Sequence, residues 1–536
     1  MDQIIENQLN LALNLTEGIR ERTTDLNTGY APAQNEWELI VRYNGDIRNI
    51  AAAYGARVKV LSAGYALVTI AQEYITDFSR RPQIIYIEKP KKLTFEEQCV
   101  PSDDLTGQGV IVAVIDSGID YMHPEFILPD GTSKILAIYD EYNDTVYDRQ
   151  EINRAIEQNN TDSIPGDFAG HGTAVASIAA GRYIGIAPEA DIVCVRLARD
   201  NFFNTARLME GIDFVLRYGA EISRPVAVNI SIGNNYGAHN DSSLLETYIN
   251  EVSGAYRSVI CVGSGNEADR NVHIEGNVAE GGRYGLSIGE YEQSIDIQIW
   301  KNYSDDFDVE ITAPNFSSIV IGADRRGFIQ YSVGNTAIYV YVGEAVPYSV
   351  NQEIFVQMVA KNGYILSGVW QITLIPRKIR LGMFDMWLPA GGGVSTDTGF
   401  TTNYPDTTIT IPATAYKAIS VGAYDQRRMI YAPFSGRGFT KLPVGVKPDL
   451  VAPGVDVRAA ASGGGYRYVT GTSFATPNVT GAAALFMEWG IVRGNDLYMY
   501  GEKIKAELIR RAVRLPGEEV YPNERLGYGT LCFPFR

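Results

Sequence analysis

A carboxylate, an imidazole and a hydroxyl, each set among small residues, are the groups of this 536-residue chain best placed to do chemistry. Asp116 ends the apolar run in "VIVAVIDSGID", at the carboxyl end of a predicted strand, where α/β proteins place their sites. His171 lies in "GHGTAVASIAAG", whose spacing predicts a helix opened by the histidine, with Gly170 and Gly172 allowing close approach. Ser473 lies in "GTSFATPNVTGAAALF", where a serine opens a predicted buried helix whose N-terminus favours developing negative charge. Pro477 is tolerated so near a helix start. Taken singly, each residue has a plainer reading: a turn aspartate, a structural histidine among four, an N-cap serine. Together they are the residue types of a nucleophile, its base and the group that orients the base.

The elements that must carry them alternate between strand and helix. "GVIVAVIDSG", "ADIVCVRLA", "VAVNISIG" and "SVICVGSGN" are nearly continuous apolar runs, as expected of strands covered on both faces. Helical stretches such as "NTARLMEGIDFVLRYG" separate them, which predicts α/β with a mainly parallel sheet. Residues 1–35 read as a polar N-terminal extension with room for one short helix. Residues 36–97 carry the order β-α-β-β-α-β, which predicts a small ferredoxin-like unit closed by the strand "QIIYIEKPKKLTF". Residues 98–276 and 405–536 hold the α/β pattern. Between them, residues 277–404 are short alternating strands divided by turns, which predicts an inserted all-β domain, a sandwich or jelly roll.

Composition narrows the function. Acidic residues outnumber basic ones, 63 − 46 = 17, so the chain repels phosphate backbones and nucleic acid is not expected as a partner. Cys99, Cys194, Cys261 and Cys532 are scattered, and two of them sit in apolar runs; free core thiols are expected rather than a disulfide framework. No cysteine or histidine clustering has ligand spacing, so neither a metal mechanism nor a cofactor is expected. The first residues carry Asp2 and Glu6 where a secretory signal needs basic residues, so synthesis in the cytoplasm without such a signal is expected. No apolar run is long enough to span a bilayer.

Taken together, the three local sequences resemble the signatures of the subtilisin family in their order Asp, His, Ser. The resemblance covers about residues 100–275 and 405–536. It implies a serine endopeptidase with a subtilisin-like, mainly parallel sheet flanked by helices. Ser473 attacks the scissile carbonyl, His171 takes and returns the proton, and Asp116 fixes the imidazole tautomer. Asn266 in "VGSGNEA" matches the family's oxyanion-hole asparagine, joining the Ser473 backbone N–H. "NISIGN" is similar to the strand that pairs with substrate, placing Ser231, Ile232 and Gly233 along the cleft. Gly263, Ser264 and Gly265 are expected to wall the pocket for the residue before the cut.

The same resemblance makes the small N-terminal unit a propeptide whose last strand threads the site, with self-cleavage between about Leu93 and Gln98. The run "ASIAAGRYIGIAPEA" shortens a loop that binds calcium in familiar subtilisins, so no calcium is expected there. Within the family, "NNYGAHNDSSLLE", the propeptide and the β insert resemble the Csp germination proteases of clostridia. That implies a spore-associated protease activating a cortex-lytic hydrolase zymogen, with its own propeptide retained in the cleft as a second partner. Two rivals stand beside it: a catalytically silent pseudoprotease acting as sensor or scaffold, and a carbohydrate-binding insert. Trp300, Trp370 and Trp387 read as core rather than as a sugar platform. His123 and His239 stay outside the mechanism.

Overall fold

Strands apolar on both faces build the centre of the larger of two compact units. A computed structural model describes the chain except residues 1–3, 17–18, 20–25, 92–93, 96–104, 198–203, 345, 347–348, 403, 440–444 and 532–536, and except the side chains of 94–95. One unit comprises residues 1–92, 234–244 and 267–405; the other comprises 93–233, 245–266 and 406–536. Cys99, Cys532 and most of the expected cleavage segment lie outside the described residues.

In the larger unit the strands Ser258–Gly263, Val226–Ile230, Ile111–Asp116, Asp191–Arg196 and Ile135–Asp140 lie side by side in that order, all parallel, within a nine-stranded sheet. Every residue of Ile111–Asp116 is buried, because helices cover both faces. On one face lie the helices His171–Ala180 and Thr476–Met487, every residue of which is buried. Small side chains let them touch: a Cβ at Gly481 would stand 2.8 Å from the Ala179 carbonyl and 2.5 Å from Ile186. The helix Thr205–Glu221 begins where the Asn204 side chain accepts from the backbone N–H groups of Ala206 and Arg207. Cys194 and Cys261 are buried free thiols in this sheet. The helix of the "GTSFATP" segment starts at Thr476, not at the serine; Ser473 occupies the turn before it, closed by Ala475 N–H donating to Thr472 O.

The smaller unit holds the N-terminal residues and the β insert. The strands Glu36–Tyr43, Arg57–Val60, Tyr65–Ala71 and Ile84–Glu88 alternate with the helices Ile47–Ala52 and Ile75–Ser79 in the predicted order β-α-β-β-α-β. They form an antiparallel sheet with Glu36–Tyr43 between Tyr65–Ala71 and Ile84–Glu88. The closing strand, read as one run, is two. It leaves this sheet at Glu88, since Pro90 has no N–H to offer a ladder, and strand geometry returns at Thr94–Phe95. The insert is two antiparallel sheets of six and five strands enclosing one apolar core. Trp370 is buried in it and Trp387 is buried outside it, whereas Trp300, read as core, is only half-buried. The outer face of the six-stranded sheet is buried too. Its Tyr339, Tyr341 and Phe355 share a core with Leu9 and Leu11 of the helix Asn7–Asn14 and with Trp37 and Phe78. No helix among the described residues is long and apolar enough to cross a membrane.

Candidate active site

Parallel strands deliver Asp116 to the carboxyl edge of the sheet, fully buried, with Arg196 as its register partner on the neighbouring strand. His171 meets it there. The imidazole Nδ1 stands 3.0 Å from both Asp116 carboxylate oxygens, and the ring is largely buried. Two glycines make the approach possible, for different reasons. Gly170 adopts φ 72°, which favours glycine, and turns the chain into the helix. Gly172 has no room for a side chain, since a Cβ would stand 2.2 Å from the Gly118 carbonyl. A neutral imidazole held at Nδ1 by a carboxylate keeps its proton on that nitrogen, which leaves Nε2 basic.

Sequence reasoning missed the residues that hold this pair. Asp167 accepts from the backbone N–H of Gly170 and Thr173 (2.8 Å each) and from the Ser117 and Thr173 hydroxyls. Ser117 in turn donates its backbone N–H to Asp116 and accepts from Gly172 N–H through Oγ. Arg196 donates to Gly166 O and, at 2.8 Å, to buried Asp140, so the loop carrying Asp167 is pinned to the strand beside Asp116. The signal was an Asp ahead of a Gly-flanked helix start, a capping pattern.

Ser473 is fully buried, and its hydroxyl donates to the Ser231 carbonyl at 3.0 Å. Ser231 returns the contact, its hydroxyl donating to Ser473 O at 2.7 Å while accepting from Asn229. Phe474, the next residue, lies against the His171 ring at a centroid distance of 4.8 Å. On the other side Thr472 N–H donates to Asn266 Oδ1 at 2.9 Å, so Asn266 touches the residue preceding the serine. Gly265 N–H donates to the Thr472 hydroxyl. The structure thus links Asp116 to His171, His171 to the Ser473 turn, and that turn to Asn266 and Ser231. Gly263 pairs with Val421, and Ser264 spends its backbone on Val421 and Thr410. Gly233 and Gly265 both crowd Thr410, whose side chain would lie within 2.7 Å of a Cβ at either.

The strand Ile232–Gly233 is occupied. Thr94–Phe95 pairs with it antiparallel, Phe95 opposite Ile232 and Thr94 opposite Gly233. Elsewhere in this unit His123 uses both ring nitrogens structurally, Nε2 against Gly465 O and Nδ1 accepting from Glu125 N–H. The loop after the His171 helix is closed by the buried Glu125 carboxylate, which accepts from Tyr183 N–H and the Tyr466 hydroxyl.

A sheet, triad-like geometry and cleft strand of this kind define a class. The Subtilase family model matches residues 107–339 and 397–529, and the chain belongs to that family of serine endopeptidases. A second model, the Csp protease B prodomain, matches residues 3–91. The chain is similar to the Clostridium perfringens CspB protease at 36% identity, over 80% of this chain and 92% of that one, with a TM-score of 0.76. It is 24% identical to the minor extracellular protease Vpr of Bacillus subtilis over 79% of its length, and spans 51% of Vpr. A serine protease of Staphylococcus aureus that processes the epidermin leader peptide shares the fold, at 15% identity over 92% of this chain and 97% of that one, with a TM-score of 0.50.

Proposed function

We propose that the chain hydrolyses peptide bonds through an acyl-enzyme, with Ser473 as nucleophile, His171 as general base and acid, and Asp116 as the group that orients the imidazole. Asn266 and the Ser473 N–H would receive the oxyanion. Ser231, Ile232 and Gly233 would pair with substrate backbone, while Gly263, Ser264 and Gly265 wall the pocket. The observation that carries this reading is the chain's own Thr94–Phe95 laid antiparallel on Ile232–Gly233, next to the Ser231 carbonyl that holds the Ser473 hydroxyl. A segment bound in that way is substrate-like, and the propeptide it ends would be both first substrate and retained inhibitor. Before attack the hydroxyl must turn from Ser231 O to His171, because a serine has one proton to donate.

The likeness to CspB and the matched prodomain support a finer reading. The enzyme is spore-associated and, by limited cleavage, activates the zymogen of a cortex-lytic hydrolase during germination. In it, residues 36–97 form a ferredoxin-like propeptide behind an N-terminal extension of residues 1–35. Residues 98–276 and 405–536 form the protease domain, and residues 277–404 a jelly roll. The rival, a silent sensor or scaffold, draws on the full burial of Ser473 and the filled cleft strand.

One experiment separates them. The purified protein and its Ser473→Ala variant are sequenced from the N-terminus and treated with a fluorophosphonate probe. The protease reading requires a new N-terminus between about Leu93 and Gln98 in the parent, an uncut chain in the variant, and labelling at Ser473 alone. Cleavage that persists in the variant removes Ser473 as nucleophile. A parent chain that stays whole and unlabelled makes it the scaffold.

A further inference from the structure

The strands by which the chain enters and leaves the insert carry three metal-binding side chains to one place. His273–Asn277 forms the edge of the six-stranded sheet and pairs antiparallel with Met383–Trp387, His273 opposite Trp387 and Glu275 opposite Asp385. Alternate residues of a strand share a face and directly opposed residues are neighbours. His273, Glu275 and Asp385 therefore cluster, and one donor atom from each lies within 4.8 Å of the others. The tightest pair is His273 Nε2 and Asp385 Oδ1, 3.0 Å apart. Donors in adjacent positions on an ion with bonds of about 2.1 Å stand about 3 Å from one another, and opposed ones about 4.2 Å. Closing a gap of 4.8 Å takes about 0.6 Å where the two donors are opposed and more where they are adjacent.

A second observation concerns the imidazole itself. His273 is fully buried with Nε2 facing Asp385, while Nδ1, which points away from the carboxylate, has no hydrogen-bond partner. The ring stacks on Trp387 at a centroid distance of 4.8 Å, and His239 stacks on the same indole at 4.3 Å. Asp385 is nearly as buried, while Glu275 is half-exposed and opens the cluster to solvent.

We propose that His273, Glu275 and Asp385 bind one divalent first-row transition cation, of the zinc or manganese class, which pins the entry and exit strands of the insert together. One imidazole and two carboxylates suit such an ion better than calcium or a thiolate-seeking metal. With three protein donors, water completes the coordination. This role is structural and independent of peptide hydrolysis. No spacing in the sequence announced it, since the histidine and Asp385 are 112 residues apart and meet only through strand pairing.

The full chain, stripped with chelator and then freed of it, is titrated with Zn²⁺ and with Mn²⁺ by calorimetry and by thermal unfolding followed through tryptophan fluorescence. The expected result is one ion per chain at micromolar affinity or better, with a raised melting temperature. In Glu275→Gln the affinity should fall at least ten-fold while the metal-free melting temperature stays as in the parent. Asp385→Asn provides the same reading should Glu275→Gln fail to fold. Absence of one-to-one binding by both cations, or equal affinity in a folded variant, overturns the site and leaves a neutral His273 donating to Asp385.

Discussion

Each of the two compact units buries one charge cluster, and the two clusters carry opposite excess. In the larger unit Asp449 lies between two lysines, 2.9 Å from Lys447 Nζ and 2.8 Å from Lys505 Nζ, and also accepts from Ser420 N–H. One carboxylate faces two ammonium groups, so one cation is surplus. Burial, aided by Lys505, pushes Lys447 down to about 7 despite Asp449, while the two lysines outweigh burial and hold Asp449 below the usual carboxylate range. Lys134, buried against Pro188 O, is pushed down to about 7 as well. A cluster in the smaller unit is the mirror case. Lys91 Nζ lies 3.1 Å from Glu6 and 3.1 Å from Glu88, while Glu353, held by Asn7, lies close enough to feel all three charges. Three carboxylates share one ammonium. Burial, with Glu6 beside it, raises Glu353 to about 8, and burial raises Glu88 too. Glu344 lines the same cavity, with Tyr86, Trp300 and Tyr341 as its aromatic wall.

The difference teaches where each unit is vulnerable. Removing Asp449 strips buried Lys447 and half-buried Lys505 of the carboxylate they share, and breaking a buried pair in this way costs about 3–5 kcal/mol. Asp449→Asn should therefore lower the melting temperature of the larger unit by on the order of 10 °C. Pulsed thiol labelling of Cys194 and Cys261 reads that unit alone, because both are buried in its sheet. A variant as stable as the parent would mean that the lysines are already neutral and the excess positive charge is fictitious.

A smaller effect tests both halves at once. Glu353 has its ordinary value at 4.5 and its folded value at about 8, so the folded smaller unit keeps a proton that the unfolded chain has released. Its stability falls as pH rises through that window. Lys447 has its ordinary value at 10.5 and its folded value at about 7, so the folded larger unit holds fewer protons than the unfolded chain. Its stability rises from about pH 7 to 10.5. Each group contributes at most about 1.4 kcal/mol per pH unit. Lys301 in the insert, lowered by burial to about 8, runs against its own unit, so the fall is steepest below pH 8. Four of the five tryptophans, Trp37, Trp300, Trp370 and Trp387, belong to the smaller unit, and their fluorescence follows it. Parallel pH slopes in the two signals would break the comparison.

What the sequence made legible divides along the same line. Strands such as Ile111–Asp116, apolar throughout because both faces are covered, announced the parallel sheet and the carboxylate at its end. The glycines around His171 and the small residues of "GTSFATPNVTGAAALF" announced close helix packing, since each is local and obeys steric rules. Alternation announced the β insert. What stayed hidden depends on residues distant in the chain. The Asp167–Ser117–Arg196 brace joins a loop to two strands, the Glu6–Glu88–Glu353 cluster draws on three separate segments, and His239 stacks on Trp387, which lies far along the chain. The break at Pro90 was readable as chemistry; that the segment beyond it pairs with Ile232–Gly233 was not, because pairing is set by the partner.

The smallest expected effect isolates one carboxyl. Glu353→Gln replaces an acid by an amide of the same shape that can still accept from Asn7 Nδ2, now 2.9 Å from the carboxylate. Below about pH 4.5 the carboxyl is protonated in the folded and the unfolded parent alike, so parent and variant should melt together. Above pH 8 the folded parent has lost that proton as well and carries one more buried negative charge, and the variant should be the more stable of the two. The tryptophan-monitored slope between these limits should flatten by the share of a single group. If it does not flatten, the proton is held elsewhere, on Glu88 or Glu6, and the excess of carboxylates is shared by the cluster rather than seated on Glu353. If the variant is instead destabilised at every pH, the Asn7 contact needs a charged acceptor, and Glu353 is ionised in the folded protein.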